Sequence, residues 1–296
     1  MDCAKAVVSV LIPNWNGAED TVECIETLLL QDYGAASLEI IVVDNGSDAA
    51  SLATVRTKMA EVGQAFNRTQ LIELGKNNGI AVAYNTALQH ASSEATVLLR
   101  LDNDVLLPRN AVSRLMQKLG EASNIGIVGC RIISYDMSDR RAHHCGTLKV
   151  HWWSPKIEYS FPDADIDCDG VAGCAMLIRR NAVQKLSWFF DPRRFLASEL
   201  DLCQRVKNLG YRIVYTPSVE VFHKGGRSTS KKSDHVRFET ILEGYLFHFH
   251  HNRLPAVVAY FSNALSRALL KCLMGDSTNL RAMLEAWTYF KCTRAK

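Results

Sequence analysis

The apolar positions of the chain fall into short continuous runs, separated by stretches with helical spacing. Val7 to Ile12 is the first run and ends at Pro13. Such a run suits a strand covered on both faces, as in a parallel sheet. Asn14-Trp15-Asn16-Gly17 follows as a loop, and Val22, Ile25, Leu28 and Leu29 recur at helical spacing. Leu38 to Val43 predicts a second buried strand, closed by Asp44-Asn45-Gly46-Ser47-Asp48. Leu52 to Val62 predicts a helix, Leu71 to Leu74 a third strand, and Ile80 to Ala91 a helix after Gly75-Lys76-Asn77-Asn78-Gly79. Thr96 to Leu101 predicts the fourth strand. Strands alternating with helices in this way imply an α/β fold with a doubly wound, mostly parallel sheet and helices on both faces. Each polar cluster falls at a strand's carboxyl end, where such sheets bind ligands.

Beyond a helix over Val112 to Leu119 the pattern becomes less regular. Ile125 to Ile133, Thr147 to Trp153 and Ala175 to Ile178 predict strands of a mixed region. Glu199 to Leu209 predicts a helix, with Leu202, Val206 and Leu209 on one stripe. Tyr211 to Tyr215 and Val219 to Phe222 predict two further strands, followed by the small, basic stretch Gly225 to Ser233. From His235 the composition is helical, so the expected division is residues 1–233 and a helical extension over 234–296. There is no internal repeat.

Composition narrows the function. The chain has 296 residues, 48% of them hydrophobic, enough for one large α/β domain with an appendage. A net charge of +3 is too small to point to nucleic acid. Nine cysteines without a CxxC pair imply reduced, packed thiols and a cytoplasmic setting. His143-His144-Cys145 lacks the spacing of a zinc site. Met1 to Lys5 leads straight into a strand, so no signal peptide is expected. The most apolar late segment, Leu254 to Met274, carries Arg267 and Lys271 and is not expected to span a bilayer. The first strand is not followed by GxGxxG, which argues against a dinucleotide dehydrogenase, and GxxxxGK[ST] does not occur, which argues against a P-loop enzyme. A nucleotidyltransferase would need a Gly-rich, basic signature where Asn14-Trp15-Asn16-Gly17 stands.

The most informative stretch is Leu98-Leu99-Arg100-Leu101-Asp102-Asn103-Asp104-Val105. A strand ending in Asp-x-Asp places acidic oxygens at a sheet's rim, a setting for a hard divalent cation that could hold a diphosphate. A capped turn is the plain alternative for the same triplet.

The ordered set of motifs resembles the inverting glycosyltransferases of family 2, which have the GT-A fold, and most closely their rhamnosyltransferase-like branch. The resemblance rests on Val8 to Gly17, Val42 to Ser47, Asn78 to Asn85 and Leu101 to Asp104, continued by Gly173 to Arg180, Glu199 to Arg205 with Gly210-Tyr211, and Val221-Phe222-His223. It covers roughly the first 230 residues. One departure stands out: many relatives have Glu-Asp where this chain has Ser198-Glu199.

The resemblance implies a metal-dependent transfer of a sugar from a nucleoside-diphosphate donor, dTDP-rhamnose or a UDP-hexose. The acceptor would be a hydroxyl of a surface glycan or lipid-linked molecule. Asp104 and His223 would hold Mn²⁺ or Mg²⁺, and Asp102 would reach the metal through water or bind the ribose. Glu199 would be the general base, the alternative being an acid favoured by a helix's first turn. Asp44 would accept from a pyrimidine N3–H, with Pro13, Asn14 and Asn16 lining base and ribose; turn chemistry is the alternative. Asn78 would contact the nucleotide or cap the following helix. Gly173 would let backbone approach the donor sugar or acceptor, or mark a bulge. Arg227, Lys231 and Lys232 would close over the diphosphate or form a solvated loop.

Several further readings concern the margins of the site. Asp201 and Arg205, four apart on one helix, predict a structural ion pair. Trp152 and Trp153 would offer a sugar a flat face or pack in the core. His248, His250 and His251 lack metal-site spacing. The stripe Val257, Phe261, Leu265, Leu269 reads first as a packing face and second as an amphipathic contact with the cytoplasmic membrane's inner face. A protein of the same fold that binds nucleotide sugar or glycan without turnover is the alternative to an enzyme.

Overall fold

The structure is a computed structural model and describes residues 6–134, 145–151, 157–225, 234–251 and 254–294. The first half is built as the periodicity predicts. Strand β1 (Val8–Asn14) leads to helix α1 (Ala18–Leu29), β2 (Leu38–Asp44) to α2 (Ala49–Val62), and β3 (Arg68–Glu73) to α3 (Ile80–His90). Then come β4 (Val97–Leu101), the short β5 (Val105–Leu106) and α4 (Ala111–Gly120). The second half holds β6 (Ile125–Ser134), β7 (Thr147–Val150), β8 (Ile157–Ser160), β9 (Ile166–Asp167), β10 (Gly170–Val171), β11 (Ala175–Arg179), α5 (Glu199–Asn208) and β12 (Arg212–His223).

The main sheet runs β3-β2-β1-β4-β11-β6-β12-β5. β1, β2, β3 and β4 are parallel, as is the β6–β12 pair, whereas β11 runs antiparallel between β4 and β6. Apolar side chains alternate between its two faces. Val97, Leu99 and Leu101 join the core shared with α1, α2 and α4, while Leu98 joins the core shared with α3 and α5. Arg100, on the same side as Leu98, is the exception in that run and is 4% exposed.

Three differences from the sequence reading have local causes. α2 starts at Ala49 because the Asp48 carboxylate caps it, accepting from the Ser51 amide at 2.8 Å. The two strands expected over 211–222 are one strand, β12, whose register against β6 shifts between Thr216 and Glu220. That interruption brackets Pro217, which has no amide to donate. The third strand begins at Arg68, pairing with Glu39, earlier than its apolar run shows.

The chain divides into two compact units, Met1–Leu148 with Tyr159–Ser228, and Lys149–Glu158 with Thr229–Lys296. The second contains α6 (Asp234–His251), α7 (Leu254–Leu273) and α8 (Thr278–Arg294). Its core comprises Leu242, Tyr245, Leu246, Phe249, Ala264, Ala282, Met283 and Ala286. His248 of α6 is buried. On α7 the expected packing stripe is corrected. Leu265 and Leu269 are exposed, and the buried line runs through Ala264 and Ala268, whose small side chains permit close helix approach. The side chains of Val257 and Phe261 lie outside the description. Among the described residues no helix is long and apolar enough to cross a membrane.

Candidate active site

The carboxyl ends of β1, β2 and β4 lie side by side, so their loops share one rim. Register alone places Asn14 opposite Asp44 and Arg100 opposite Leu11. The Asn14 side chain acts as the hub. Its amide donates to Asp44 Oδ2 at 2.7 Å, and its carbonyl accepts from Thr21 Oγ1 at 3.0 Å and the Gly17 amide at 3.3 Å. Asp44 Oδ1 accepts from the Gly46 and Ser47 amides, and its Oδ2 also accepts from Ser47 Oγ at 2.6 Å. Asn14 and Asp44 are each 1% exposed, so in this state turn chemistry occupies the Asp44 oxygens. Asn16 is exposed and held at φ 52°, with its amide on Ser47 Oγ and its side chain accepting from the Asp48 amide. Pro13 is buried. Gly46, at φ 83°, is required by space as well as by φ: a Cβ there would lie 2.4 Å from the Lys76 backbone.

Asn78 does not cap α3. Its side chain donates to the Lys76 carbonyl at 3.0 Å, and the N-cap position is Gly79, without a side-chain bond.

The Asp-x-Asp loop is tied down by its middle residue. Asn103 donates to the Gly17 carbonyl at 3.2 Å and to Thr21 Oγ1 at 3.0 Å. Asp102 Oδ1 accepts from the Tyr84 hydroxyl at 2.5 Å and faces Arg100 at 3.7 Å. Asp104 Oδ1 lies 3.0 Å from His223 Nε2. The meeting follows from topology, since β12 pairs antiparallel with β5 and sets His223 opposite Val105. Lys224 secures the strand's exit, its ammonium 2.7 Å from Asp20 and 2.6 Å from Glu23 of α1. Asp102, Asp104 and His223 each offer a ligand atom, all within 4.8 Å of one another; they are the one such group of three among the described residues.

The electrostatics of the cluster are those of a preformed pair. Burial works to raise the Asp104 carboxyl, but the His223 hydrogen bond and charge, with backbone donors, hold it below its ordinary value. Burial works to lower His223, but the Asp104 bond and the charges of Asp104 and Asp102 hold it above its own.

Glu199 opens α5. Burial raises its pKa, Arg100 and a backbone hydrogen bond pull it back, and Asp102 pushes it up. Ser198, the departure from many relatives, is the helix N-cap and accepts from the Asp201 amide at 3.3 Å. Asp201 and Arg205 form the expected ion pair at 2.7 Å. Gly173 lies before β11, where a Cβ would come 1.8 Å from an Arg100 guanidinium nitrogen. The nearest neighbour of that position is therefore the Arg100 guanidinium.

Arg227, Lys231, Lys232, Trp152, Trp153, His143 and His144 lie outside the described residues. Tyr84, Arg100, Asn103, Thr21 and Lys224 were not expected at the site. Only Arg100 carried a signal, as a charge interrupting an apolar strand.

Residues 9–187 match the model of "Glycosyl transferase family 2". Glycosyltransferase GlyG of Streptococcus pneumoniae serotype 4 is 30% identical over 137 residues, covering 45% of this chain and 41% of that protein. An N-acetylglucosaminyltransferase of Azorhizobium caulinodans is 25% identical over 222 residues, covering 71% and 53%. The chain thus spans about half the length of these curated relatives. Among solved structures, the mannosyltransferase PcManGT of Pyrobaculum calidifontis, in complex with GDP-Man and Mn²⁺, superposes with a TM-score of 0.60 at 19% identity. That match covers 95% of this chain and 86% of that one. GalNAc-T7 with UDP, GalNAc and Mn²⁺ has a TM-score of 0.59 at 15% identity, covering 75% and 44%. These likenesses establish the GT-A fold. With more than half of its length matched by the family model, the chain belongs to glycosyl transferase family 2.

Proposed function

We propose that this chain transfers a sugar, with inversion, from a nucleoside-diphosphate donor to a hydroxyl of a glycan or lipid-linked acceptor, and needs a divalent cation to do so. The observation that carries the reading is the convergence of Asp102, Asp104 and His223 at the sheet's rim. Two carboxylates and one imidazole suit Mn²⁺, or Mg²⁺ with more water in the shell, and three protein ligands leave positions for diphosphate oxygens. Asp104 and His223 hold the cation directly in this reading, and Asp102 supports it or the ribose. Once bound, the cation neutralises charge on the departing diphosphate. His223 must give up its proton to ligate.

Glu199 takes the acceptor's proton, and its raised pKa makes it a stronger base than a free glutamate. The loop from Asn14 to Asn16 and the Asp44 turn receive the nucleoside. A pyrimidine N3–H would reach Asp44 by exchanging with one of the Ser47 bonds. Gly173 would stand on the donor and acceptor side. The Mn²⁺ nucleotide complexes of the structural neighbours support a metal-bound donor. The relatives' names support glycosyl transfer but do not choose between dTDP-rhamnose and a UDP-hexose. Ser198 gives no support to a binding-only protein, because its role as N-cap explains it.

A panel of dTDP-, UDP- and GDP-sugars in Mn²⁺ tests the donor reading by thermal stabilisation. A donor at 100 times its Kd adds about 2.7 kcal/mol to stability. One sugar nucleotide should raise the melting temperature in Mn²⁺ and not after EDTA. If no sugar nucleotide does so, the reading fails.

The lipid-linked acceptor draws support from α7. Leu265, Leu269, Leu270, Leu273 and Met274 are exposed, Leu273 at 87%. Arg267 and Lys271 are exposed beside them. Apolar residues edged by cations fit the inner face of an anionic membrane. Leu269→Glu with Leu273→Glu should abolish co-sedimentation with phosphatidylserine vesicles; equal sedimentation of parent and variant contradicts the contact.

A further inference from the structure

Asp102 carries an arrangement that the transfer reaction as described does not use. Its Oδ1 is engaged twice from within the protein, by the Tyr84 hydroxyl at 2.5 Å and by the Arg100 guanidinium at 3.7 Å. Tyr84 is fully buried in α3, and Arg100 is 4% exposed in β4. Arg100 sits 4.6 Å from the Tyr84 ring centroid and 5.4 Å from that of Phe190. Otherwise it is poorly satisfied: one nitrogen approaches Met176 Sδ at 3.8 Å, and its Nε has no hydrogen-bond partner. A buried cation with so few acceptors is costly, and stacking on two rings offsets part of that cost. At Gly173 a Cβ would lie against the same guanidinium.

We propose that Tyr84 and Arg100 are positioning residues for Asp102, committing its Oδ1 to the protein so that Oδ2 is presented in one fixed direction to the bound cation and donor. The inference rests on the metal-bound donor reading above. One hydrogen bond from Tyr84 and the nearby Arg100 charge, both on one oxygen, restrict the carboxylate's rotation about its Cβ–Cγ bond. A carboxylate aligned in advance loses less entropy when the ligand arrives, and outer hydrogen-bond partners of this kind commonly tune metal affinity.

The test is Mn²⁺ binding, followed by loss of the free-ion EPR signal, alone and with UDP, for the parent, Tyr84→Phe, Asp102→Ala and the double variant. Tyr84→Phe removes one oxygen and keeps the ring against Arg100. It should weaken Mn²⁺ binding by roughly 10- to 100-fold. In the Asp102→Ala background it should add nothing further, because its effect passes through that carboxylate. Unchanged Mn²⁺ affinity in Tyr84→Phe overturns the proposal, as does a loss that adds fully to that of Asp102→Ala. Melting curves of all four proteins allow affinity to be expressed per folded molecule; a loss that vanishes on that basis also overturns it. A parent protein that binds no Mn²⁺ in either condition overturns the metal reading itself, and this inference with it.

Discussion

Replacing Asp104 with alanine is expected to reduce sugar transfer by at least roughly 10²-fold, with little loss of folded protein. The estimate follows from what a cation supplies. Neutralising a leaving diphosphate is worth several kcal/mol, and about 1.4 kcal/mol is tenfold in rate. The fold holds Asp104 at two points. Its carboxylate meets His223 at 3.0 Å, and its carbonyl accepts from the Lys224 amide at 3.0 Å. The carbonyl bond survives the substitution, so the loop should keep its course. The pair with His223 and the backbone hydrogen bonds to the carboxylate are lost, a cost of roughly 1–3 kcal/mol that a domain of this size can bear. Steady-state kinetics across Mn²⁺ concentrations check the expectation. Asp104→Asn, which keeps the volume and removes the charge, should be nearly as defective. Parent-like turnover in Asp104→Ala would show that the reaction does not depend on this carboxylate.

Glu199→Gln is expected to lower transfer by about 10²- to 10⁴-fold, the range a positioned general base supplies. Donor and Mn²⁺ binding should persist, because the side chain keeps its shape and the metal cluster is untouched. The same substitution should raise stability at neutral pH, and the sign follows from linkage. The folded-state pKa of Glu199 lies above its ordinary value, chiefly through burial. A carboxyl shifted upward contributes stability below its unfolded pKa and loses it as pH rises through the folded one. Once ionised, the parent therefore carries an unfavourable, half-buried charge that glutamine removes. A variant that is slower and yet melts higher separates a reacting group from a structural one. In the parent, the acid limb of the kcat/KM profile should lie above the range of a free glutamate. A variant with parent-like turnover, or one that melts lower, contradicts the role.

Much of the fold could be read from the chain because its strands are buried on both faces. Runs such as Val8 to Ile12 and Leu38 to Val43 can hardly be anything else, and the polar clusters after them mark the rim. The second half was harder to read for a physical reason. β11 runs antiparallel between β4 and β6, and β5 is two residues long. The apolar run of β11 does not show its direction and β5 is too short to show at all, yet β5 is what brings His223 to Asp104. The motif order named those two residues; only the pairing shows that they touch. Tyr84 was invisible because an aromatic residue in an alanine-rich helix reads as core, which it also is. Arg100 interrupts an apolar strand, which marks it in the chain, but its neighbours there do not show what it meets. Asp44 and Asn14 show the opposite case. Both were expected to face a nucleotide, and the structure gives their polar atoms first to each other and to the Ser47 turn.

A cation seated between Asp104 and His223 is the central expectation for this protein. Anomalous diffraction at the manganese edge, from crystals grown with Mn²⁺ and UDP, addresses this directly. A single peak is expected within about 2.0–2.6 Å of an Asp104 oxygen and a His223 nitrogen, the span of ordinary oxygen and nitrogen ligation, with diphosphate oxygens on its open side. A nucleotide bound with no peak at these residues, or manganese bound elsewhere in the protein, contradicts it.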